Sequence, residues 1–253
     1  MDFALWLYPA LFLTGLAAGF VDAIAGGGGL IALPVLLWVG LPPQVALGTN
    51  KMQSSCGTAL AAWRYESAGL LRYRTLVSGL VVTLCASALG ALAVAKIDAT
   101  FLRHVIPLLL ICIAGWVWLK PQFGVKPRPP SLSARGFGVT FGIVLGFYDG
   151  FFGPGAGSFW TIACILLLGL DLPAATGHTK AMNLASNLGA LAIFVSLGTV
   201  RYDIGAVMIA GQLIGARIGS GMVIARGTRF VRPIFLAVVI ALAARLIWQN
   251  LSS

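Results

Sequence analysis

The stretch Gly19-Phe20-Val21-Asp22-Ala23-Ile24-Ala25-Gly26-Gly27-Gly28-Gly29 sets a carboxylate inside an apolar run and follows it with four consecutive glycines. A second stretch, Gly146-Phe147-Tyr148-Asp149-Gly150-Phe151-Phe152-Gly153-Pro154-Gly155-Ala156-Gly157, repeats the design. Asp22 and Asp149 are the acids that fall deep inside apolar segments. A charge in a lipid-spanning segment is costly, so two at matched positions point to function. Glycine clusters break a helix, and paired, charged, broken helices build many secondary-transporter sites at the membrane midplane.

Composition agrees. Hydrophobic residues make up 59% of the 253 and charged residues 9%, with a mean hydropathy of +0.95. A soluble domain carries about 25% charged residues, so the chain reads as a polytopic membrane protein. The net charge of +10 sits between apolar segments, where basic loops set topology, and nucleic acid is not an expected partner. Met1-Asp2-Phe3 lacks the basic start of a signal peptide, so the first apolar segment is expected to be retained. Cys56, Cys85, Cys112 and Cys164 fall singly in apolar segments, which suits buried thiols and not a metal site.

The resemblance between the two stretches continues along the chain. Asp22 and Asp149 are 127 residues apart, as are Gly26 and Gly153. Farther on the offset is 129, matching Gly48 with Gly177, Lys51 with Lys180, Arg72-Tyr73 with Arg201-Tyr202, and Gly90 with Gly219. Each half holds five apolar segments, near 3–25, 29–40, 44–65, 70–95 and 102–119, then near 136–152, 156–169, 174–197, 203–225 and 230–249. A full span needs about 20 residues. The second segment of each half is too short, and reads as a half-helix or re-entrant arm; whether it spans or returns is open.

Either way each half crosses an odd number of times, so the second runs opposite to the first. The expected fold is all-α: two inverted-topology repeats, 1–119 and 136–253, each with a glycine-broken helix or re-entrant arm plus three full spans. Arg64, Arg72, Arg74, Lys120, Lys126, Arg128, Arg135, Arg226, Arg229 and Arg232 collect on one side. The positive-inside rule makes that side cytoplasmic, with residues 120–135 as the cytoplasmic linker and both termini outside. Lys96, Arg103 and Arg201 on the other side are offset by Asp2, Asp98 and Asp203.

The third segment of each half bears a polar stripe. Asn50, Ser54 and Thr58 share a helix face at i, i+4, i+8 and match Thr179, Asn183 and Asn187. Lys51 and Lys180 lie beside these stripes. Interhelical hydrogen bonding and lysine snorkelling are the plain alternatives to a shared cavity. The glycine clusters lack the strand–turn–helix setting of a dinucleotide site. They suit close helix packing, or the open N–H groups of a helix start, which favour an anion. Gly27, Gly28 and Gly155 with Lys51 and Lys180 would then form an anion site. Asp22 and Asp149 could bond the broken backbone, pair with the lysines, or carry protons across. His178, where the other half has Thr49, is either a titrating site residue or a hydrogen-bonded structural one.

On these motifs, with Thr49-Asn50-Lys51 and Gly211-Gln212-Leu213-Ile214-Gly215-Ala216-Arg217, the chain resembles the sulfite exporter TauE/SafE family over nearly its whole length. Its YfcA-like branch is the nearest in pattern. The resemblance implies a permease of the bacterial cytoplasmic membrane that moves sulfite or another small organosulfur anion. Pro154 and Ala156 depart from the glycine run that many relatives carry, which makes the two arms unequal.

The leading expectation is therefore a secondary anion transporter working by alternating access, with proton coupling as an option. No cofactor or metal is expected; the partners are a small anion and the lipid bilayer, with homo-oligomer formation left open. No P-loop is present, so an ion or substrate gradient must drive the flux. A membrane-embedded enzyme is the alternative from another class, but no nucleophile or metal motif joins the seven acids and two histidines. A passive anion channel is the third reading.

Overall fold

The computed structural model describes residues 7–71, 73, 76–98 and 129–251, and these contain helices and no strands. From the first stretch come α1 (Leu7–Ala25), α2 (Gly28–Trp38), α3 (Pro43–Ser67) and α4 (Val77–Ala95). From the second come α5 (Ala134–Phe151), α6 (Ala156–Leu167), α7 (Leu172–Ser196) and α8 (Tyr202–Leu251). The expected segment 102–119 and linker residues 120–128 lie outside the described residues. The two segments expected at 203–225 and 230–249 form one run, α8, broken at Gly227, whose φ of 61° and ψ of −159° no helix accepts. The fourth segment starts at Val77 and not at 70.

Local chemistry sets these boundaries. Asp171 accepts a hydrogen bond from the Ala174 N–H at 3.0 Å to open α7, and Ser133 accepts from Gly136 at 3.1 Å to open α5. Such caps satisfy N–H groups that the helix itself leaves free. At the critical breaks, α1 and α5 both stop on a left-handed glycine, Gly26 at φ 70° and Gly153 at φ 91°. A side chain would be strained in that conformation, so the turn that follows each carboxylate helix requires glycine at Gly26 and Gly153. The short helices α2 and α6, of 11 and 12 residues, reach about 16–18 Å, near half a bilayer core of ~30 Å.

Helices α1, α4 and the α8 segment Tyr202–Gly227 are long and apolar enough to cross a membrane. Their large apolar side chains point outward, as at Leu13, Val81, Leu89, Ile214 and Ile218, while small residues face inward. That is the arrangement of a bundle solvated by lipid, where association depends on close backbone approach. Helix α1 packs chiefly on α8, and α4 on α5. In the first seam Gly15, Gly19, Gly211 and Gly215 lie against backbone; in the second Gly79, Gly90, Gly146 and Gly150 do. The chain therefore couples the first helix of each stretch to the fourth helix of the other.

At the centre, α3 and α7 pack against each other and run antiparallel. One apolar cluster holds the start of α3 (Ala46, Leu47) and the end of α7 (Ala190, Phe194). The other holds the end of α3 (Ala61, Ala62, Tyr65) and the start of α7 (Leu172, Ala175). Between these clusters lies a buried polar layer from residues 49–58 and 179–187.

A Cβ on Gly150 would lie 1.9 Å from the Ser87 carbonyl oxygen, and one on Gly215 2.0 Å from that of Leu16. Gly150→Leu or Gly215→Leu is expected to destabilise by about 3 kcal/mol or more through overpacking. Val144→Leu, on a 59% exposed side chain, should change stability by less than about 0.5 kcal/mol. Thermal unfolding of the purified protein in detergent checks both.

Candidate functional site

Two buried ion pairs cross the polar layer, and each joins one stretch to the other. The Lys51 Nζ donates to Asp149 Oδ1 at 2.6 Å and to Asn187 Oδ1 at 3.0 Å. The Lys180 Nζ donates to Asp22 Oδ2 at 2.8 Å, and Thr58 Oγ1 approaches the same oxygen at 3.4 Å. Lys51 is 2% exposed and Lys180 0%. With both lysines buried, each charge must be neutralised by a partner. The carboxylates stand in the last turns of α1 and α5, immediately before the glycine breaks.

Between the pairs lies a cavity of about 20 Å³, lined by Asp22, Asn50, Lys51, Asp149, Asn183 and Asn187, with Ser54 and the glycine-rich turns completing it. That is space for about one water. Gly26, Gly29, Gly153, Gly155, Ala156 and Gly157 line it from the starts of α2 and α6. Neither start has a side-chain cap, so both direct free N–H groups and positive dipole ends to the cavity. A Cβ on Gly26 would come 2.4 Å from Gly157 carbonyl carbon, so the two breaks touch through their backbones.

Hydrogen-bond commitments give the cavity a sign. The Asn187 carbonyl accepts from Lys51, and the Asn50 carbonyl accepts from Gln53 Nε2 at 2.9 Å. Their NH₂ groups donate to no described residue. Asn183, 5% exposed, makes no side-chain hydrogen bond among the described residues, and its Oδ1 is buried without a partner. Three amide donors, an ammonium and two helix starts converge on one small space. The amide NH₂ groups, the ammonium and the helix starts suit an oxyanion, while the Asn183 carbonyl and the Asp22 and Asp149 carboxylates are acceptors that such an anion must displace or avoid.

Of the residues expected at a site, Asp22, Asn50, Lys51, Ser54, Asp149, Gly155, Asn183 and Asn187 line this cavity. Gly27, Gly28, Thr179, Lys180 and His178 do not. Gly27 and Gly28 form the cap and first turn of α2, and Gly28 lies against the Asp22 Cβ. Thr179 Oγ1 bonds Thr161 Oγ1 at 3.0 Å, tying α7 to α6. Lys180 reaches the cavity only through Asp22. His178 donates from Nδ1 to the Ala174 carbonyl at 2.9 Å within its own helix. The sequence reading missed Ser186, whose Oγ donates to Asp149 Oδ2. It lies three residues beyond Asn183, on the face of the stripe, but its counterpart at offset 129 is Gly57. A search for polar residues matched in both halves passes over it.

Comparison with known proteins decides the family. The model of the family "Sulfite exporter TauE/SafE" matches residues 11–246. The chain belongs to the TauE/SafE family. It is 39% identical to a Haemophilus influenzae protein named "Probable membrane transporter protein", over 99% of this chain and 98% of that one. It is 39% identical to the Escherichia coli K12 protein named "Probable membrane transporter protein YfcA", over 96% and 91% of the two chains. A Bacillus subtilis relative, "Probable membrane transporter protein YjnA", is 25% identical over 83% and 88%. No solved structure matches. This TauE/SafE chain is thus a membrane protein of a transporter family.

Breaking one buried pair from one side leaves an uncompensated charge at a cost of about 3–5 kcal/mol, whereas replacing both partners is often neutral. Lys180→Met alone should therefore lower the unfolding temperature further than Lys180→Met with Asp22→Asn. Thermal melts of the three proteins in one detergent test the order; equal loss in both would mean the pair is not buried as described.

Proposed function

We propose that this TauE/SafE protein is a secondary transporter of a small oxyanion, with sulfite or a short organosulfonate as the substrate. Its place is the bacterial cytoplasmic membrane. The observation that carries this reading is the convergence of the Asn50, Asn183 and Asn187 amides, Lys51 and the starts of α2 and α6 on one cavity. Among the described residues its lining contains no aromatic ring and no large apolar side chain. A substrate with a long alkyl or aryl tail would find no surface to bury there, so the reading favours anions that are polar all round.

Alternating access is the mechanism we assign. Two repeats, 1–119 and 136–253, of inverted topology would rock about the central α3–α7 pair. The reciprocal packing of α1 on α8 and of α4 on α5 supports that symmetry. In the conformation described, both lysines are neutralised by carboxylates, and the cavity is too small for a hydrated anion. Substrate entry therefore requires a carboxylate to leave a lysine. A carboxylate that loses its ammonium partner away from water gains stability by taking a proton, which links anion movement to the pH gradient. Asp149, held between Lys51 from α3 and Ser186 from α7, is the residue we assign to this coupling.

Labelled sulfite in proteoliposomes tests the reading. The expected result is saturable uptake with counterflow, accelerated by a pH gradient. Lys51→Met should reduce it at least tenfold, and Asp149→Asn should remove the response to the gradient. Flux without saturation or counterflow would indicate a channel. No flux of sulfite or of other small oxyanions would refute the proposal.

A further inference from the structure

The two ion pairs occupy matched positions, yet their surroundings differ. We propose that they have separate tasks: the substrate anion takes the place of Asp149 at Lys51, while the Lys180–Asp22 pair stays closed and braces the helices. This rests on the anion-transport reading above.

Access is the first difference. Lys51 is part of the cavity wall, beside the three asparagines whose amide groups have donors to spare, whereas Lys180 is absent from it. Asn183, whose NH₂ donates to no described residue, lines the same space. An anion entering this cavity meets the Lys51 ammonium directly and meets Lys180 only behind the Asp22 carboxylate.

The second difference lies in what would hold each carboxylate once its lysine is taken. Asp149 has two anchors on separate oxygens: Lys51 on Oδ1 and the Ser186 hydroxyl on Oδ2. It can release Lys51 and keep Ser186. Asp22 has both of its partners, Lys180 and Thr58, on the single oxygen Oδ2. The residue matched to Ser186 is Gly57, which offers no hydroxyl. The space beside it is filled by the side chain of Gln212, close enough that a Cβ on Gly57 would lie 2.4 Å from Gln212 Cγ. Neither end of that amide has a partner among the described residues. If Lys180 were taken, Asp22 would keep only the long Thr58 contact, on the same oxygen that Lys180 holds, so its pair is the costlier one to open.

Volume and charge favour the same exchange. A space of about 20 Å³ is small beside sulfite, but a carboxylate and a small oxyanion both present anionic oxygens that the same ammonium can bind. Moving Asp149 off Lys51 vacates the room that the anion needs and leaves the ammonium neutralised by the newcomer. The anion and Asp149 are therefore competitors for one lysine.

Competition gives an outcome that a structural role would not. Binding of sulfite to the full-length protein in detergent is measured by calorimetry and by anion-induced thermal stabilisation. Asp149→Asn, which keeps the shape and the Ser186 contact, should tighten sulfite binding at least tenfold by removing the competitor. Adding Lys51→Met to that variant should abolish binding while the protein stays folded. Lys180→Met with Asp22→Asn, which alters one cavity-lining carboxylate but keeps Lys51, should retain the sulfite binding that Lys51→Met with Asp149→Asn has lost. Equal losses in the two neutralised pairs, or no gain from Asp149→Asn, would overturn the division of tasks. No binding of sulfite, sulfate or formate by either the wild type or Asp149→Asn would instead refute the anion reading itself.

Discussion

A lysine ammonium cannot be buried alone. That constraint organises this molecule: Lys51 and Lys180 lie in the middle of the two central helices, and each is neutralised by a carboxylate from the opposite stretch of the chain. The carboxylates can reach them because α1 and α5 end where they do. Those helices end there because Gly26 and Gly153 adopt a left-handed turn. The turns in turn start α2 and α6 at the polar layer, with uncapped N–H groups facing it. Ion pairs, breaks and helix starts are therefore one construction. Altering any of them disturbs the others.

The outer seams serve the same end. Glycines along α1, α5 and α8 let backbones approach until a single added carbon would collide with a carbonyl. In a lipid environment apolar side chains gain little by meeting each other, and close packing must supply the association. Tight seams also limit how the helices can move. Adjacent elements can slide or tilt as units, whereas a single helix cannot swell. Such rigidity suits the transport cycle proposed above, in which a local exchange would displace whole helix groups.

Much of this was legible in the sequence. Asp22 and Asp149 followed by glycine clusters announced the broken helices, and the structure ends α1 and α5 at those glycines. The polar stripes on α3 and α7 were visible from their spacing, and both are buried. Sequence periodicity could not say which lysine meets which aspartate, because pairing across 98 and 158 residues depends on tertiary packing. It also treated Lys51 and Lys180 as equals, since their local sequences match. The proposed distinction arises from neighbours that do not match, above all Ser186 against Gly57. His178 looked like a candidate because histidine is rare here; its ring bonds its own helix.

The cross-chain pairing has a consequence for how the protein is made. Lys51 is synthesised 98 residues before Asp149. At ribosomal speeds of about 5–20 residues per second, roughly 5–20 s pass before its partner exists. During that interval the first stretch holds a lysine and an aspartate that have not met their final counterions. The nascent segment must keep these charges near water or near each other. Its central helix can settle only after α5 has been translated. Membrane insertion of this chain is thus a timed process, in which the second stretch completes the burial of the first.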